Sequence, residues 1–90
     1  MVVLILERVP VGLRGELSRW MLEPKSGVFV GTLSGMVRDL LWEKACRDAR
    51  DGACLMIYGS NREQGFALRT HGKTSRIVED FEGLSLIRIP

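Results

Sequence analysis

Ninety residues, 46% of them hydrophobic and 27% charged, are enough for one domain with a core and too few to enclose a deep pocket. This composition excludes a disordered chain, because disordered chains are poor in apolar residues and carry high net charge, whereas the formal charge here is only +2. So small a charge does not identify a nucleic-acid-binding protein, and basic residues would have to gather on one face to bind DNA.

The sequence shows neither a membrane span nor a pattern of metal ligands. No apolar stretch approaches the roughly 20 residues needed to cross a bilayer, and the run from Val2 to Leu6 is too short for a secretion signal. We therefore expect a cytoplasmic protein without a membrane partner. Cys46 and Cys54 lack metal-ligand spacing and are expected to be buried thiols, while His71, the only histidine, does not suggest a histidine-based nucleophile.

The first half of the chain predicts a strand, a helix and two short strands. Val2 to Leu6 is a continuous β-branched and aliphatic run, which is typical of a strand buried on both faces. Helical spacing of apolar residues predicts an amphipathic helix from about residue 11 to residue 22, limited by Pro24. Its apolar positions are Leu13, Leu17, Trp20 and Met21. Residues 28–30 predict a short strand that pairs with residues 22–24.

The second half predicts a second helix and further strands. Ser34 is a suitable N-cap for this helix. The apolar side of the helix consists of Val37, Leu40, Leu41, Ala45 and Ala49. Residues 53–58 form another continuous apolar run, followed by a hairpin loop at residues 59–65 and a strand at residues 66–70. Residues 84–89 predict a final strand.

This order of elements predicts an α+β fold over residues 1–90, of the ferredoxin-like βαββαβ type with extra C-terminal strands. In such a fold the first and fourth strands lie side by side at the centre of the sheet. Both are apolar without alternation here, yet two helices cover only one face of a sheet. A second copy of the chain is the simplest cover for the other face, because soluble monomers rarely expose so large an apolar patch. We therefore expect a homodimer packed through the sheet face.

Short motifs follow one another along nearly the whole chain. They are Glu7-Arg8-Val9-Pro10, Leu13-Arg14-Gly15, Trp20 with Leu22-Glu23, Gly27-Val28-Phe29-Val30-Gly31, Asn61, Glu63, Gly65-Phe66 and Asp80-Phe81-Glu82-Gly83-Leu84. In this order and at nearly ungapped spacing, the set resembles the Cas-two family of CRISPR-associated proteins, in the form found in subtype I-E systems. The resemblance implies a role in CRISPR adaptation (spacer acquisition), as a dimeric scaffold that binds duplex protospacer DNA and bridges the integrase subunits.

The resemblance also implies contacts with double-stranded DNA. Arg14 matches the family's Leu-Arg-Gly step and lies at the start of the first predicted helix, whose N-terminus itself attracts phosphate. Arg76 lies where related proteins carry two adjacent arginines, but Ser75 replaces the first of that pair, and Lys73 is expected to compensate. Arg8, near Arg14, is a further candidate. The alternative for each cation is an ordinary solvated surface charge.

The C-terminal extension, residues 83–90, is a candidate docking segment. Its apolar residues are Leu84, Leu86, Ile87 and Ile89. In the related proteins this region helps to dock the integrase subunit, and an apolar terminal strand can add to the sheet of a partner. The alternative is an edge strand of its own domain.

Glu7 is the candidate for a second activity. Family members are often labelled metal-dependent nucleases for RNA or double-stranded DNA, with an acidic residue, usually Asp, that holds a divalent ion with its dimer mate. Glu7 is the matching position, so the resemblance implies Mg²⁺ at Glu7 as a catalytic alternative. Three features argue against it: Glu replaces Asp, each chain offers one carboxylate, and no histidine or lysine partner is evident beside it. The alternative is that Glu7 is a solvated charge at the end of a strand, paired with Arg8 or Arg14.

Three classes of function therefore remain open. The scaffold of CRISPR adaptation is favoured over the Mg-dependent endonuclease, because the subtype I-E resemblance implies that spacer insertion does not need nuclease activity. The third class is an unrelated ferredoxin-like module, such as a small-ligand regulatory domain or an RNA-binding sheet. It is disfavoured because RNA-binding sheets need exposed aromatic residues on their central strands, and those positions are aliphatic apart from Tyr58.

Overall fold

Within residues 1–59 and 65–73, the fold consists of a sheet of five antiparallel strands and two helices. These are the residues described by the structure, which is a computed structural model. The strands are β1 (Val2–Glu7), β2 (Leu22–Lys25), β3 (Val28–Gly31), β4 (Ala53–Gly59) and β5 (Phe66–His71). The helices are α1 (Val11–Leu17) and α2 (Gly35–Asp48). The strand order β2-β3-β1-β4-β5 confirms that β1 and β4 are adjacent at the centre. The α+β class is confirmed, and the order is compatible with a ferredoxin-like fold. The strand predicted at residues 84–89 lies outside the described residues.

Helix α1 is shorter than the sequence pattern predicts. It ends at Leu17, and the Trp20 backbone N–H donates to the Leu17 carbonyl at 3.0 Å in the turn that follows. Two glycines weaken the helix, and Leu22 is already paired with Val30 in the sheet, so strand pairing ends the helix early. Trp20, an apolar position of the predicted helix, does not pack in the core, because 54% of it is exposed.

Helix α2 begins as predicted at Ser34, whose hydroxyl accepts a hydrogen bond from the Val37 backbone N–H at 3.2 Å. Leu41 and Ala45 are buried against the sheet, as is Ala49 at the C-cap. The prediction that Leu40 belongs to this buried side is wrong, because 57% of it is exposed. The buried stripe follows a spacing of four residues, and Leu40 lies on the neighbouring stripe.

The two faces of the sheet differ in their cover. Side chains alternate along β1, so Val2, Leu4 and Leu6 are buried on the side of the helices, while Val3 and Ile5 remain half-buried on the other side. The strand register places further residues on that second side. We call the half-buried and exposed apolar residues on that side the open sheet face; they are Val3, Ile5, Leu22, Val28, Val30, Ile57 and Leu68. Leu55, which pairs with Ile5 on the same side, is buried. In a single chain the second face of β1 is therefore only half-buried, and its burial by a second copy of the chain stays a prediction.

Five strand ends meet at one edge of the sheet. Antiparallel pairing brings the ends of β1, β2 and β5 beside the starts of β3 and β4, as the pairs Glu7 with Ala53 and Cys54 with His71 show. Helix α1 starts and helix α2 ends at the same edge, because α1 follows β1 and α2 precedes β4. Residues far apart in the sequence are therefore neighbours here. In the described part of the chain, no helix is both long and apolar enough to cross a membrane.

Candidate nucleic-acid interface

Basic side chains follow the strand ends along this edge of the sheet. We call them the basic edge, which consists, in strand order, of Lys25, Arg14, Arg8, Arg50 and Lys73. Lys25 ends β2, Arg14 reaches the β2–β3 turn, Arg8 follows β1, Arg50 precedes β4 and Lys73 follows β5. Neighbouring strands lie about 4.8 Å apart, so the row spans about 19 Å across the five strands. The sequence pointed to Arg8, Arg14 and Lys73, whereas it did not point to Arg50 or Lys25.

A polar cleft of about 670 Å³ lies at the centre of the basic edge. Arg8, Arg50 and Lys73 line it together with the acids Glu7 and Asp51. His71 lines it as well, which corrects the expectation that Glu7 has no histidine or lysine nearby. The reason is the pairing of β5 with β4, which returns the chain to the edge where β1 ends.

The backbone around the cleft is closely packed. A Cβ on Gly52 would lie 2.5 Å from the Glu7 carbonyl oxygen and 2.7 Å from that of Arg8, so only glycine fits between them. Arg8 and Arg50 have φ angles of 57° and 55°, and within residues 1–59 and 65–73 no other residue except glycine has a positive φ. That conformation costs roughly 1–2 kcal/mol for each such residue. Both arginines line the cleft, so the position of their side chains there depends on an uncommon, left-handed backbone conformation.

Glu7 forms an ion pair with the neighbouring arginine. Its Oε1 lies 3.6 Å from Arg8 Nη1, while Arg14 is bonded elsewhere. The Arg8 side chain is 57% exposed, so the pair is weak in water. Within residues 1–59 and 65–73, the same Oε1 atom is buried and receives no hydrogen bond. Glu7 is therefore a paired strand-end charge with one unsatisfied oxygen.

The cleft does not form a magnesium site within one chain. Among the residues that the structure describes, no group of three or more His, Cys, Asp or Glu side chains is placed to hold a metal ion. Glu7 and Asp51 are the acids that line the cleft, and three cations line it with them. Mg²⁺ needs nearly octahedral oxygen coordination, and neighbouring cations compete with it for the carboxylates. One copy of these residues therefore does not fit a resident Mg²⁺ ion.

Arg14 is bonded within the chain. Its Nη2 donates to Glu23 Oε2 at 2.8 Å and to Ser26 Oγ at 3.0 Å. The same carboxylate accepts a hydrogen bond from the Gly27 backbone N–H at 2.9 Å. Both bonds lower the pKa of Glu23, and the bond from Gly27 has the larger effect. Arg14 lies in the last turn of α1 rather than at its start, so the attraction of a helix N-terminus for phosphate does not apply to it. A phosphate would share Arg14 with Glu23.

Tyr58 is enclosed by charged side chains away from the basic edge. The guanidinium carbons of Arg38 and Arg69 lie 4.1 Å and 4.9 Å from the centre of its ring. Arg69 Nε donates to the Tyr58 hydroxyl at 3.1 Å, and both arginines bond to Asp39 Oδ1 at 3.0 Å. This cluster fastens α2 to β4 and β5. A ring covered in this way offers no platform for stacking a base, which is a further reason against an RNA-binding sheet.

Several residues of the sequence predictions lie outside the described residues. Arg76 is one of them. The others are the apolar residues of the docking segment, Leu84, Leu86, Ile87 and Ile89.

The fold and the site together define a small α+β protein with a row of cations at one edge of its sheet. Residues 1–86 match a family model described as CRISPR-associated protein (Cas_Cas2CT1978). The chain therefore belongs to this family of CRISPR-associated proteins, which confirms the resemblance to the Cas-two family.

Proposed function

We propose that this protein is the DNA-holding scaffold of CRISPR spacer acquisition. In this role it forms a dimer, binds duplex protospacer DNA and bridges the integrase subunits. The observation that carries the proposal is the basic edge, because it gathers five cations along one edge of a chain whose net charge is only +2. Membership of a CRISPR-associated family provides the context.

The basic edge suits the phosphate backbone of a duplex. Its length of about 19 Å corresponds to about six phosphates of one strand, which follow one another every 3.4 Å along the helix axis. Contacts to phosphates hold and orient DNA without reading its sequence. Binding of this kind fits a protein that must accept fragments of any sequence. Arg76, which follows Lys73 closely in the sequence, is proposed to extend the row.

The open sheet face supports the proposed dimer. Val3, Ile5, Val30 and Ile57 are apolar, lie on adjacent central strands and are only half-buried in the single chain. A second copy packed on this face would remove them from water at a gain of about 25 cal/mol for each Å² of apolar surface. The dimer would also present two basic edges to one duplex. The apolar composition of residues 83–90 supports their assignment as the segment that docks the integrase.

The test is DNA binding as a function of salt. We expect the purified protein to bind duplex DNA of unrelated sequences equally, with log K falling linearly with log salt. Neutralising two cations of the basic edge, in the double variant Arg8→Gln/Lys73→Gln, should reduce the slope by about 0.9 for each lost contact. Arg19→Gln is the matched control, since Arg19 is exposed but lies away from this edge. An unchanged slope in the double variant would contradict the proposed interface.

The same complex tests whether Glu7 has a catalytic role. We expect Glu7→Ala to leave insertion of DNA by the full complex nearly intact, because one chain does not form a magnesium site among its described residues. Loss of insertion, with the dimer, the complex and DNA binding all preserved, would show that the carboxylate is needed.

The second candidate function is a Mg-dependent endonuclease that acts on RNA or double-stranded DNA. It is favoured by the buried Glu7 Oε1, which has no hydrogen bond among the described residues, and by the presence of His71 in the same cleft. The test incubates the protein and Mg²⁺ with labelled duplex DNA or single-stranded RNA, beside the Glu7→Ala variant. Cleavage by the wild-type protein that the variant has lost would support this function, and equal activity of both proteins would exclude Glu7 as its source.

A further inference from the structure

Arg50 occupies the junction between the polar cleft and a second depression. It lines the cleft beside Arg8 and Lys73. It also lines an adjacent groove of about 430 Å³, which lies between the start of α1 and the end of α2. Its own backbone is left-handed, with φ of 55°, and it directly follows the C-cap of α2. The guanidinium is thus carried by a turn at the centre of the basic edge.

The acids around Arg50 are mostly bonded to other cations. Within residues 1–59 and 65–73, Arg50 itself has neither an ion pair nor a side-chain hydrogen bond, and its side chain is exposed. Asp51 is the acid that remains beside it. The neighbouring pairs are Glu7 with Arg8 at 3.6 Å, Glu16 with Lys44 at 3.9 Å, and Asp48 with Lys44 at 3.2 Å and with Arg47 at 3.5 Å.

We infer that Arg50 binds a backbone phosphate of duplex DNA at the junction of the cleft and the groove. This inference rests on the proposed DNA-binding function and adds to it a contact that the family motifs do not mark. The planar guanidinium presents a fork of N–H donors that matches two phosphate oxygens, and Arg8 and Lys73 supply charge from the other walls of the cleft. Arg50 differs from Arg14 in this respect, because Nη2 of Arg14 is already bonded to both Glu23 and Ser26.

The backbone geometry agrees with a binding role. A glycine would adopt a φ of 55° without the steric cost that arginine bears, so the turn by itself gives no reason for arginine at this position. Residues in strained conformations are concentrated at binding and catalytic sites, where function compensates for the cost. Arg50→Gly should therefore fold and melt no lower than the wild-type protein while it binds DNA more weakly.

The experiment compares Arg50→Gln, Arg50→Gly and the control Arg19→Gln in duplex DNA binding between roughly 50 and 200 mM salt, at equal protein concentration. Loss of one phosphate contact should lower the salt slope by about 0.9 and the affinity about eightfold at about 0.1 M salt, for each chain that contacts the DNA. Asp51→Asn removes a charge that repels phosphate and should strengthen binding.

The outcomes separate the inference from the proposed function. If the wild-type protein binds DNA and both Arg50 variants keep its slope and affinity, the Arg50 contact is wrong while the scaffold function stands. If the wild-type protein does not bind duplex DNA even at the lowest salt concentration, both proposals fail. A loss of affinity in the Arg50 variants with an unchanged salt slope would also overturn the phosphate contact. Melting curves of each variant show that the comparison is made between folded proteins.

Discussion

Gly52 holds the end of β1 against the turn before β4, so Gly52→Ala is a sharp test of how the cleft is built. The added Cβ would lie 2.5 Å from the Glu7 carbonyl oxygen, 2.7 Å from the Arg8 carbonyl oxygen and 2.8 Å from Val9 Cγ1. Ordinary contact begins at 3.4 Å, so the first distance must grow by about 0.9 Å. Two of the three atoms belong to the backbone, and Glu7 is held in the ladder opposite Ala53.

We expect Gly52→Ala to lower the free energy of unfolding by about 1–3 kcal/mol, as overpacking does in other cores. For a domain of this size, each kcal/mol corresponds to roughly 4–8 °C in melting temperature. The measurement is urea unfolding at matched protein concentration, because association of copies would shift the transition. DNA affinity should fall as well, since Arg8 must move relative to Arg50.

The matched control is Gly15→Ala in α1. Among the residues that the structure describes, a Cβ there meets nothing within 4 Å, and alanine is favoured over glycine in a helix by about 0.5–1 kcal/mol. The control should therefore be slightly more stable than the wild-type protein. A Gly52→Ala variant with wild-type stability and wild-type DNA affinity would refute the view that this glycine sets the geometry of the cleft.

Three further predictions concern other parts of the fold. The hydrogen bond from the Gly27 N–H, and after it the bond from Arg14, lowers the pKa of Glu23. This carboxylate therefore stabilises the fold at a pH above its ordinary pKa of 4.5, and the stabilisation is lost as the pH falls through the lowered pKa. Glu23→Gln should lower the melting temperature at neutral pH and much less in acid, below the lowered pKa. Burial raises the pKa of the Cys54 thiol to about 11, so Cys54 should resist a thiol reagent in mildly alkaline buffer until the protein is unfolded. Rapid labelling of this thiol in the native protein would contradict its burial. If the proposed dimer forms, Ile5→Glu on the open sheet face should convert it into monomers in sedimentation, whereas Met36→Glu, at an exposed position of α2, should not; a monomeric wild-type protein would contradict the proposed dimer.

Local patterns in the sequence determined most elements of this fold. Continuous apolar runs marked β1 and β4, and Ser34 marked the start of α2, because strand burial and helix capping depend on residues that are neighbours in the chain. The order of the elements then implied a sheet with β1 and β4 at its centre, which the strand order confirms. The ordered motifs from Glu7 to Leu84 likewise indicated the family that the match over residues 1–86 confirms.

Tertiary structure decided where α1 ends and which apolar residues are exposed. Helical spacing continues to residue 22, but Leu22 pairs with Val30 in the sheet, and this strand pairing overrides a weak local preference for helix. Leu40 has the spacing of a core residue, yet the sheet covers only the stripe that Leu41 and Ala45 occupy. Neither outcome can be predicted without knowing which surfaces meet.

The cleft depends on tertiary structure even more strongly. Arg8, Arg50 and Lys73 come from three separate connections and lie together only because antiparallel pairing returns each connection to the same edge of the sheet. Arg14, in contrast, had a clear motif in the sequence but is bonded to Glu23, nine residues away, once the β2–β3 turn is formed. The sequence by itself determined which residue types are present and which segments are strands or helices. The pairing of the strands decided which charges are neighbours, because that depends on distance in space and not along the chain.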